Sequence, residues 1–112
     1  MGPEEFFAQF QKDMGEMKQQ TPDLLSGFSA LFSKVIKDGA LTVREKELIA
    51  LGIGMAEQCE PCIMMHIKKA LEAGATKEQV LEAAAVAVVM DGGPAYMHIP
   101  VVIKTVKALE GE

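Results

Sequence analysis

The stretch TVREKELIALGIGMA, Thr42–Ala56, combines a helix-start signal with an apolar run in a chain of 112 residues. Thr42 and Glu45 form a capping-box sequence, in which a hydroxyl and a carboxylate each satisfy an amide that the first helical turn leaves unpaired. From Leu48 onward the stretch is apolar on every side, which is typical of a helix surrounded by protein. Gly52 and Gly54 would let a neighbouring helix come close, so we expect the central helix of the fold here.

The rest of the chain carries helix signals too, and no segment has the alternating pattern of strands long enough for a sheet. Apolar spacing, caps and stop residues predict five further helices: about 14 residues from near Glu4, Asp23 to Lys37, Pro61 to Gly74, Thr76 to Met90, and about Ala95 to Leu109. Hydrophobic residues make up 49% of the sequence, and the length suits one core. We therefore predict an all-α fold, a compact single domain of about six helices over residues 1–112.

Charge and hydropathy exclude several classes of partner. The net charge is −5 and Lys and Arg form no cluster, so nucleic acid is not expected as a partner. The N-terminal MGPEEFFAQF has acidic residues where an export signal needs a positive start. The most apolar segment, Leu48–Ala56, is far shorter than the roughly 18 residues of a membrane span. We expect a cytoplasmic protein without a membrane partner.

Both cysteines and one of the two histidines fall within CEPCIMMH, Cys59–His66. On a helix, Cys62 and His66 are four apart and share a face. Cys59 stands at or just before the first turn, where unpaired amides and the helix dipole favour a thiolate. A thiolate with a second thiol three residues away can form a sulfenic acid and be rescued as a disulfide. This pattern predicts a redox pair.

Two other interpretations of the segment stay open. Free cysteines are often buried, and the segment also fits an ordinary apolar helix stripe that contains a histidine. Cys59, Cys62, His66 and the distant His98 would supply the four ligands of a closed zinc site. Three of those ligands come from one short stretch, however, which crowds one side of a tetrahedron.

The arrangement of Glu47, eleven residues, Cys59-x-x-Cys62, three residues and His66 resembles the core motif of AhpD-like alkylhydroperoxidases within the carboxymuconolactone decarboxylase family. The resemblance extends from about Leu31 into the last helix, with the core motif at about 42–74. It implies an AhpD-like helical domain and a thiol-dependent peroxidase or disulfide oxidoreductase. By position, Cys62 would be the peroxidatic cysteine, Cys59 the resolving cysteine, His66 the base and Glu47 its partner in a proton relay.

One residue departs from the family pattern, because the best-known members have a histidine where this chain has Pro61. Proline cannot move protons, so either the relay uses Glu47 and His66 only, or thiol–disulfide exchange is the main activity. No bound cofactor and no metal is required. The resemblance implies a small organic hydroperoxide as substrate and an external dithiol or thioredoxin-like protein as reductant.

Two alternative functions remain at this point. One is the decarboxylase branch of the same family, acting on a cyclic lactone acid, against which the CxxC pair argues because that chemistry needs no dithiol. The other is a zinc-binding or purely structural helical oligomer without turnover.

The apolar composition predicts self-association. Phe6, Phe7 and Phe10 lie near the N-terminus, and the domain has more apolar surface than one small core hides. We expect a homo-oligomer, a trimer or a hexamer by resemblance to the family. His98 and a set of methionines either line an apolar substrate pocket or fill the core or an interface: Met55, Met64, Met65, Met90 and Met97.

Overall fold

The computed structural model describes residues 1–111, and all the regular structure among them is helical. Six helices are longer than ten residues and one is a single turn: α1 (Pro3–Gln20), α2 (Pro22–Val35), α3 (Val43–Ala56), α4 (Glu60–Glu72), α5 (Lys77–Asp91), α6 (Gly93–Tyr96) and α7 (Ile99–Glu110). The all-α prediction is confirmed. No helix within 1–111 combines the length and the apolar character that crossing a bilayer requires.

The core is formed by α3, α4, α5, α6 and α7, whose buried side chains make one continuous cluster. Leu51 and Met55 of α3 meet Ile63 and Ile67 of α4 there, and all four are fully buried. Gly54 permits this contact, because a Cβ atom on it would lie only 3.2 Å from the Cβ atom of Cys62. The predicted close approach of a neighbouring helix is therefore confirmed at Gly54.

The other side of α3 is not covered within the chain. Ile49 and Ile53 are 52% and 56% exposed, and a Cβ atom on Gly52 would meet no atom within 4 Å. The sequence predicts a helix surrounded by protein, and within this chain α4 and α5 cover only part of the apolar circumference of α3. An open apolar groove of about 440 Å³ runs between α3 and α5 instead.

The last predicted helix is divided in two. The single turn α6 follows Gly92, which has a positive φ of 82°, and α7 begins only at Ile99. Pro100 explains the break, because it has no amide hydrogen to donate to Tyr96 and its ring would clash with the Tyr96 carbonyl in a continuous helix. The predicted start of the last helix, near Ala95, is therefore four residues before the observed start of α7 at Ile99.

The first two helices form a hairpin that packs on one side of this core. No residue of α2 is fully buried. Its C-terminal end is held by Lys46 of α3, whose Nζ donates hydrogen bonds to the carbonyl oxygens of Val35 (2.9 Å) and Lys37 (2.8 Å). These bonds satisfy carbonyls that a helix end leaves unpaired and fix α2 beside α3.

Candidate functional site

The turn between α3 and α4 positions the two cysteines. Gln58 has a left-handed backbone with φ of 56°, and the amide of Cys59 donates to the carbonyl oxygen of Gly54 at 3.0 Å. This bond from one residue beyond the left-handed position is the pattern that commonly ends helices. The turn reverses the chain at once and makes Cys59 the N-cap residue of α4.

Cys59 and Cys62 are joined as a disulfide, with their Cα atoms 5.2 Å apart. The backbone amide of Cys62 donates to the Cys59 sulfur at 3.2 Å, so one unpaired amide of the first turn is directed at that sulfur. Both cysteines are partly exposed. The structure thus brings the predicted redox pair together at a helix N-terminus, in its oxidised form.

Glu47 of α3 and His66 of α4 form a hydrogen bond across the helix pair. The Nδ1 atom of His66 lies 2.6 Å from Oε1 of Glu47, which is 1% exposed, whereas the His66 side chain is 21% exposed. When the Glu47 carboxylate is ionised it only accepts hydrogen bonds, so His66 then donates from Nδ1, and a neutral imidazole in that tautomer has Nε2 as its acceptor. Of the three glutamates considered from sequence, Glu45 belongs to the helix cap and Glu57 is exposed.

A cavity of about 470 Å³ lies between this motif and the first two helices. Both Cys62 and His66 line it, and Cys59 is not among its lining residues. Its remaining walls are largely apolar and come from α1, α2 and α4: Phe10, Met14, Phe28, Phe32, Pro61 and Met65. Such a volume suits an organic molecule of modest size.

Two lining residues were not singled out from sequence. The ring of Phe32 lies nearly parallel to the His66 imidazole, at 17° with centroids 6.5 Å apart. Lys69 places Nζ 3.9 Å from the centroid of the same Phe32 ring. Helical spacing could have identified Lys69, because it follows Cys62 by seven residues and His66 by three, and so shares their face. Phe32 lies on α2, far away in sequence, and only the fold brings it here.

A second, smaller cavity of about 330 Å³ borders Glu47 from another side. Val43 and Ile36 also line it, and neither Cys62 nor His66 does. Phe32 and Lys69 contribute to both cavities. The hydrogen-bonded pair of Glu47 and His66 therefore borders both cavities, with the histidine lining the larger one and the carboxylate lining the smaller one.

Several candidate residues lie outside the site. His98 bonds through Nδ1 to the carbonyl oxygen of Pro94 at 2.8 Å and does not line the cavity. Of the five methionines, only Met65 borders it; Met55 and Met64 are buried, and Met90 and Met97 are 81% and 70% exposed. Within residues 1–111, no three His, Cys, Asp or Glu side chains are grouped to hold a metal ion, so the hypothetical zinc site is not formed.

Known proteins are similar to this chain in sequence. The family model described as the carboxymuconolactone decarboxylase family matches residues 22–99. The chain is 38% identical over 98 residues to the uncharacterised protein 4 in the cox locus of Paracoccus denitrificans, covering 88% of each chain. It is 33% identical over 87 residues to an uncharacterised protein of Cupriavidus necator, covering 78% of this chain and 77% of that one.

Two solved structures extend the similarity to three dimensions. A carboxymuconolactone decarboxylase family protein from Legionella pneumophila superimposes with a TM-score of 0.84 at 33% identity, over 97% of this chain and 95% of that one. A family member from Thermotoga maritima, for which a part in the antioxidative response has been suggested, gives a TM-score of 0.82 at 26% identity, over 94% and 90% of the two chains. The chain, with its AhpD-like fold, belongs to the carboxymuconolactone decarboxylase family.

Proposed function

We propose that the protein is a thiol-dependent peroxidase or disulfide oxidoreductase that cycles between a Cys59–Cys62 disulfide and a dithiol. The observation that carries this proposal is that Cys62 and His66 line one apolar cavity, and that Glu47 is hydrogen-bonded to Nδ1 of the histidine. A structural disulfide would need neither the cavity nor the oriented base. Membership of a family with a suggested antioxidant member adds support.

The peroxidase cycle has three steps with a complete balance of atoms and electrons. The Cys62 thiolate attacks the terminal oxygen of a hydroperoxide, the O–O bond breaks, and the alkoxide takes a proton to leave as the alcohol. The resulting sulfenic acid is attacked by the Cys59 thiol, which releases water and forms the disulfide. An external dithiol, either a small molecule or a thioredoxin-like protein, then returns two electrons and two protons.

The roles of the cysteines follow from their surroundings. Cys62 is assigned as peroxidatic because it borders the cavity beside His66, and Cys59 as resolving because it does not. The amide directed at the Cys59 sulfur would stabilise the Cys59 thiolate that leaves when the external dithiol attacks the Cys62 sulfur during disulfide reduction. In this proposal Cys62 acts in the attack on the hydroperoxide, and Cys59 acts in the formation of the disulfide.

The proton relay in this proposal consists of His66 and Glu47. Nε2 accepts the proton of the Cys62 thiol, and the ionised Glu47 stabilises the imidazolium that forms. Transfer of the Nδ1 proton from the imidazolium to Glu47 would then let a proton exchange with solvent at the smaller cavity, without crossing the substrate cavity. Pro61 supplies no titratable group and occupies an early position of α4, where its missing amide hydrogen has no cost.

We also propose that the working form is a homo-oligomer, a trimer or a hexamer. The support is the extent of exposed apolar surface, on the outer side of α2 and on the groove between α3 and α5. Soluble monomers rarely expose apolar patches this continuous.

The proposal is tested by counting free thiols per chain before and after one equivalent of an organic hydroperoxide, starting from the fully reduced protein in a chelator. We expect a fall from two thiols to none, reversed by a dithiol, together with one equivalent of alcohol. Cys62→Ser should consume no hydroperoxide, whereas Cys59→Ser should consume one equivalent and stop.

Two results would count against the assignment. If both thiols survive the hydroperoxide, the peroxidase function fails, and oxidation by a protein disulfide would then test the oxidoreductase function. If Cys62→Ser still consumes hydroperoxide at the wild-type rate, the nucleophile is another residue.

A further inference from the structure

The substrate cavity has an uneven distribution of charge. Lys69 is the one permanently charged residue among those that line it, and two serines of α2, Ser29 and Ser33, are the other polar groups besides Cys62 and His66. The chain as a whole is acidic, with a net charge of −5. A single cation in an apolar cavity of an acidic protein is a feature that the redox cycle itself does not use.

The charge of Lys69 is not neutralised by a nearby carboxylate. The one ion pair formed among residues 1–111 joins His66 and Glu47, so no acidic oxygen in that part of the chain lies within 4 Å of the Lys69 ammonium. Glu47 and Glu72 border the smaller cavity together with Lys69, both beyond that distance. The ammonium lies instead 3.9 Å from the Phe32 ring centroid, a cation–π contact that orients it without cancelling its charge.

The separation of Lys69 from Cys62 sets a length for the ligand. Seven residues of α-helix correspond to about 10 Å along the axis, and helical side chains lean towards the N-terminus, which directs the lysine towards Cys62. A molecule with an anion at one end and a hydroperoxide at the other would reach both residues across the aromatic wall of Phe28 and Phe32.

We infer that the cavity selects organic hydroperoxides that carry one carboxylate at the end opposite the peroxide, and that Lys69 is the residue that determines this specificity. The inference rests on the proposed function and names its substrate class. Hydrogen peroxide has neither the apolar body that fills about 470 Å³ nor the anion that Lys69 would hold. A neutral hydroperoxide fills the space but leaves the ammonium without a partner.

The experiment compares the hydroperoxide of 4-isopropylbenzoate with its neutral carboxamide, which have the same ring and the same reacting group. We expect the wild-type kcat/KM to favour the carboxylate by about fivefold, the ratio that corresponds to ~1 kcal/mol for one partly exposed ion pair. In Lys69→Met the ratio should fall to about one, and Lys69→Arg should restore it. Raising the ionic strength should reduce the wild-type ratio.

Lys68→Met is the matched control, because Lys68 neighbours Lys69 in sequence but places Nζ 5.4 Å from the Phe7 ring centroid and does not line this cavity. This variant should keep the wild-type ratio. A ratio of one in the wild-type protein, or a preference that persists in Lys69→Met, would overturn the inference.

A binding measurement separates this inference from the proposed function. The unreactive 4-isopropylbenzoate and 4-isopropylbenzamide are titrated into wild-type protein and Lys69→Met by calorimetry. Tighter binding of the carboxylate that depends on Lys69, without any hydroperoxide turnover, would support the inference while the peroxidase function failed. Turnover of both hydroperoxides without a preference, and equal binding of both unreactive compounds, would leave the function standing and refute the inference.

Discussion

His66 is held by one hydrogen bond to a buried carboxylate, and its effect on Cys62 can be measured without any peroxide. In the Cys59→Ser background, His66→Gln should move the pH dependence of Cys62 alkylation to higher pH, because glutamine cannot accept the thiol proton. The rate of iodoacetamide modification between pH 5 and pH 10 measures this shift. His98→Gln is the control, since His98 bonds to Pro94 and lies outside the cavity. A profile unchanged by His66→Gln would remove the histidine from the relay.

Gly54 is the residue at which helix packing meets the cysteine pair. A Cβ atom there would lie 3.2 Å from Cys62 Cβ and 3.5 Å from the Ile63 amide nitrogen, so α3 and α4 would have to separate slightly. Gly54→Ala should lower the free energy of unfolding by about 1–3 kcal/mol, the usual cost of overpacking. Gly15→Ala on α1, where a Cβ atom would meet no atom within 4 Å and which lies outside the groove between α3 and α5, should raise it by up to about 1 kcal/mol. Denaturant titration of the reduced proteins measures both, and equal effects would contradict this packing argument.

Helices α3 and α5 both begin with a capping box, but only the box of α3 contains a titratable residue. Thr42 pairs with Glu45 in one, and Thr76 pairs with Gln79 in the other. Hydrogen bonds from the Thr42 backbone and side chain lower the pKa of Glu45 below its ordinary value of 4.5. Gln79 makes the same contacts without a titrating group. Only the first cap is therefore sensitive to acid.

The sign of that sensitivity follows from the direction of the shift. A pKa that is lower in the folded state means that the unfolded chain binds the proton more readily, so the contribution is complete above pH 4.5 and is lost as the pH falls through the folded pKa. Glu45→Gln should therefore make stability less dependent on pH as the pH falls from neutral to below 4.5. Gln79→Glu should make it more dependent. The urea midpoint of unfolding is measured across this pH range for the wild type and both variants. If the midpoint depends on pH equally in all three proteins, the ionised Glu45 does not stabilise the cap.

Local chemistry explains how much of the fold was predictable. The starts of α3 and α5 were predicted correctly because a threonine and a residue three positions later determine each cap. The break before α7 was missed because Pro100 fits an early helical position as well as an interruption. The apolar pattern of α3 did not show which elements pack on it, since periodicity identifies apolar residues without identifying their partners, and the chain itself leaves Ile49 and Ile53 exposed.

The candidate site was predictable only where its residues are close in sequence. Cys62 and His66 share a helical face, and the same spacing extends to Lys69. Glu47 is nineteen residues from His66, and no local rule distinguishes it from the other glutamates of the region. The family resemblance supplied that residue, and nothing in the sequence pointed to Phe32, which reaches the site from another helix.

At the scale of the whole molecule, an uncovered apolar area surrounds the groove between α3 and α5. Four of its lining residues are more than half exposed: Ile49, Ile53, Val86 and Met90. Leaving so much apolar surface in water is unfavourable at roughly 25 cal/mol per Å², so its burial against another copy would drive assembly. This groove lies on a different part of α3 from Gly54 and the motif, and an interface there would leave Cys62 accessible.

Ile53→Glu tests this interface. The isoleucine is 56% exposed and lines the groove, so a carboxylate there costs little in a monomer but would be buried without a partner in an oligomer. Light scattering after size exclusion should give three or six times the 12.1 kDa chain for wild-type protein and a smaller mass for Ile53→Glu. Ile103→Glu on α7, also at an exposed isoleucine but outside the groove, should keep the wild-type mass. A wild-type monomer would refute the assembly, whereas an oligomer that persists in Ile53→Glu with its helicity intact would move the interface to another surface, such as the outer side of α2.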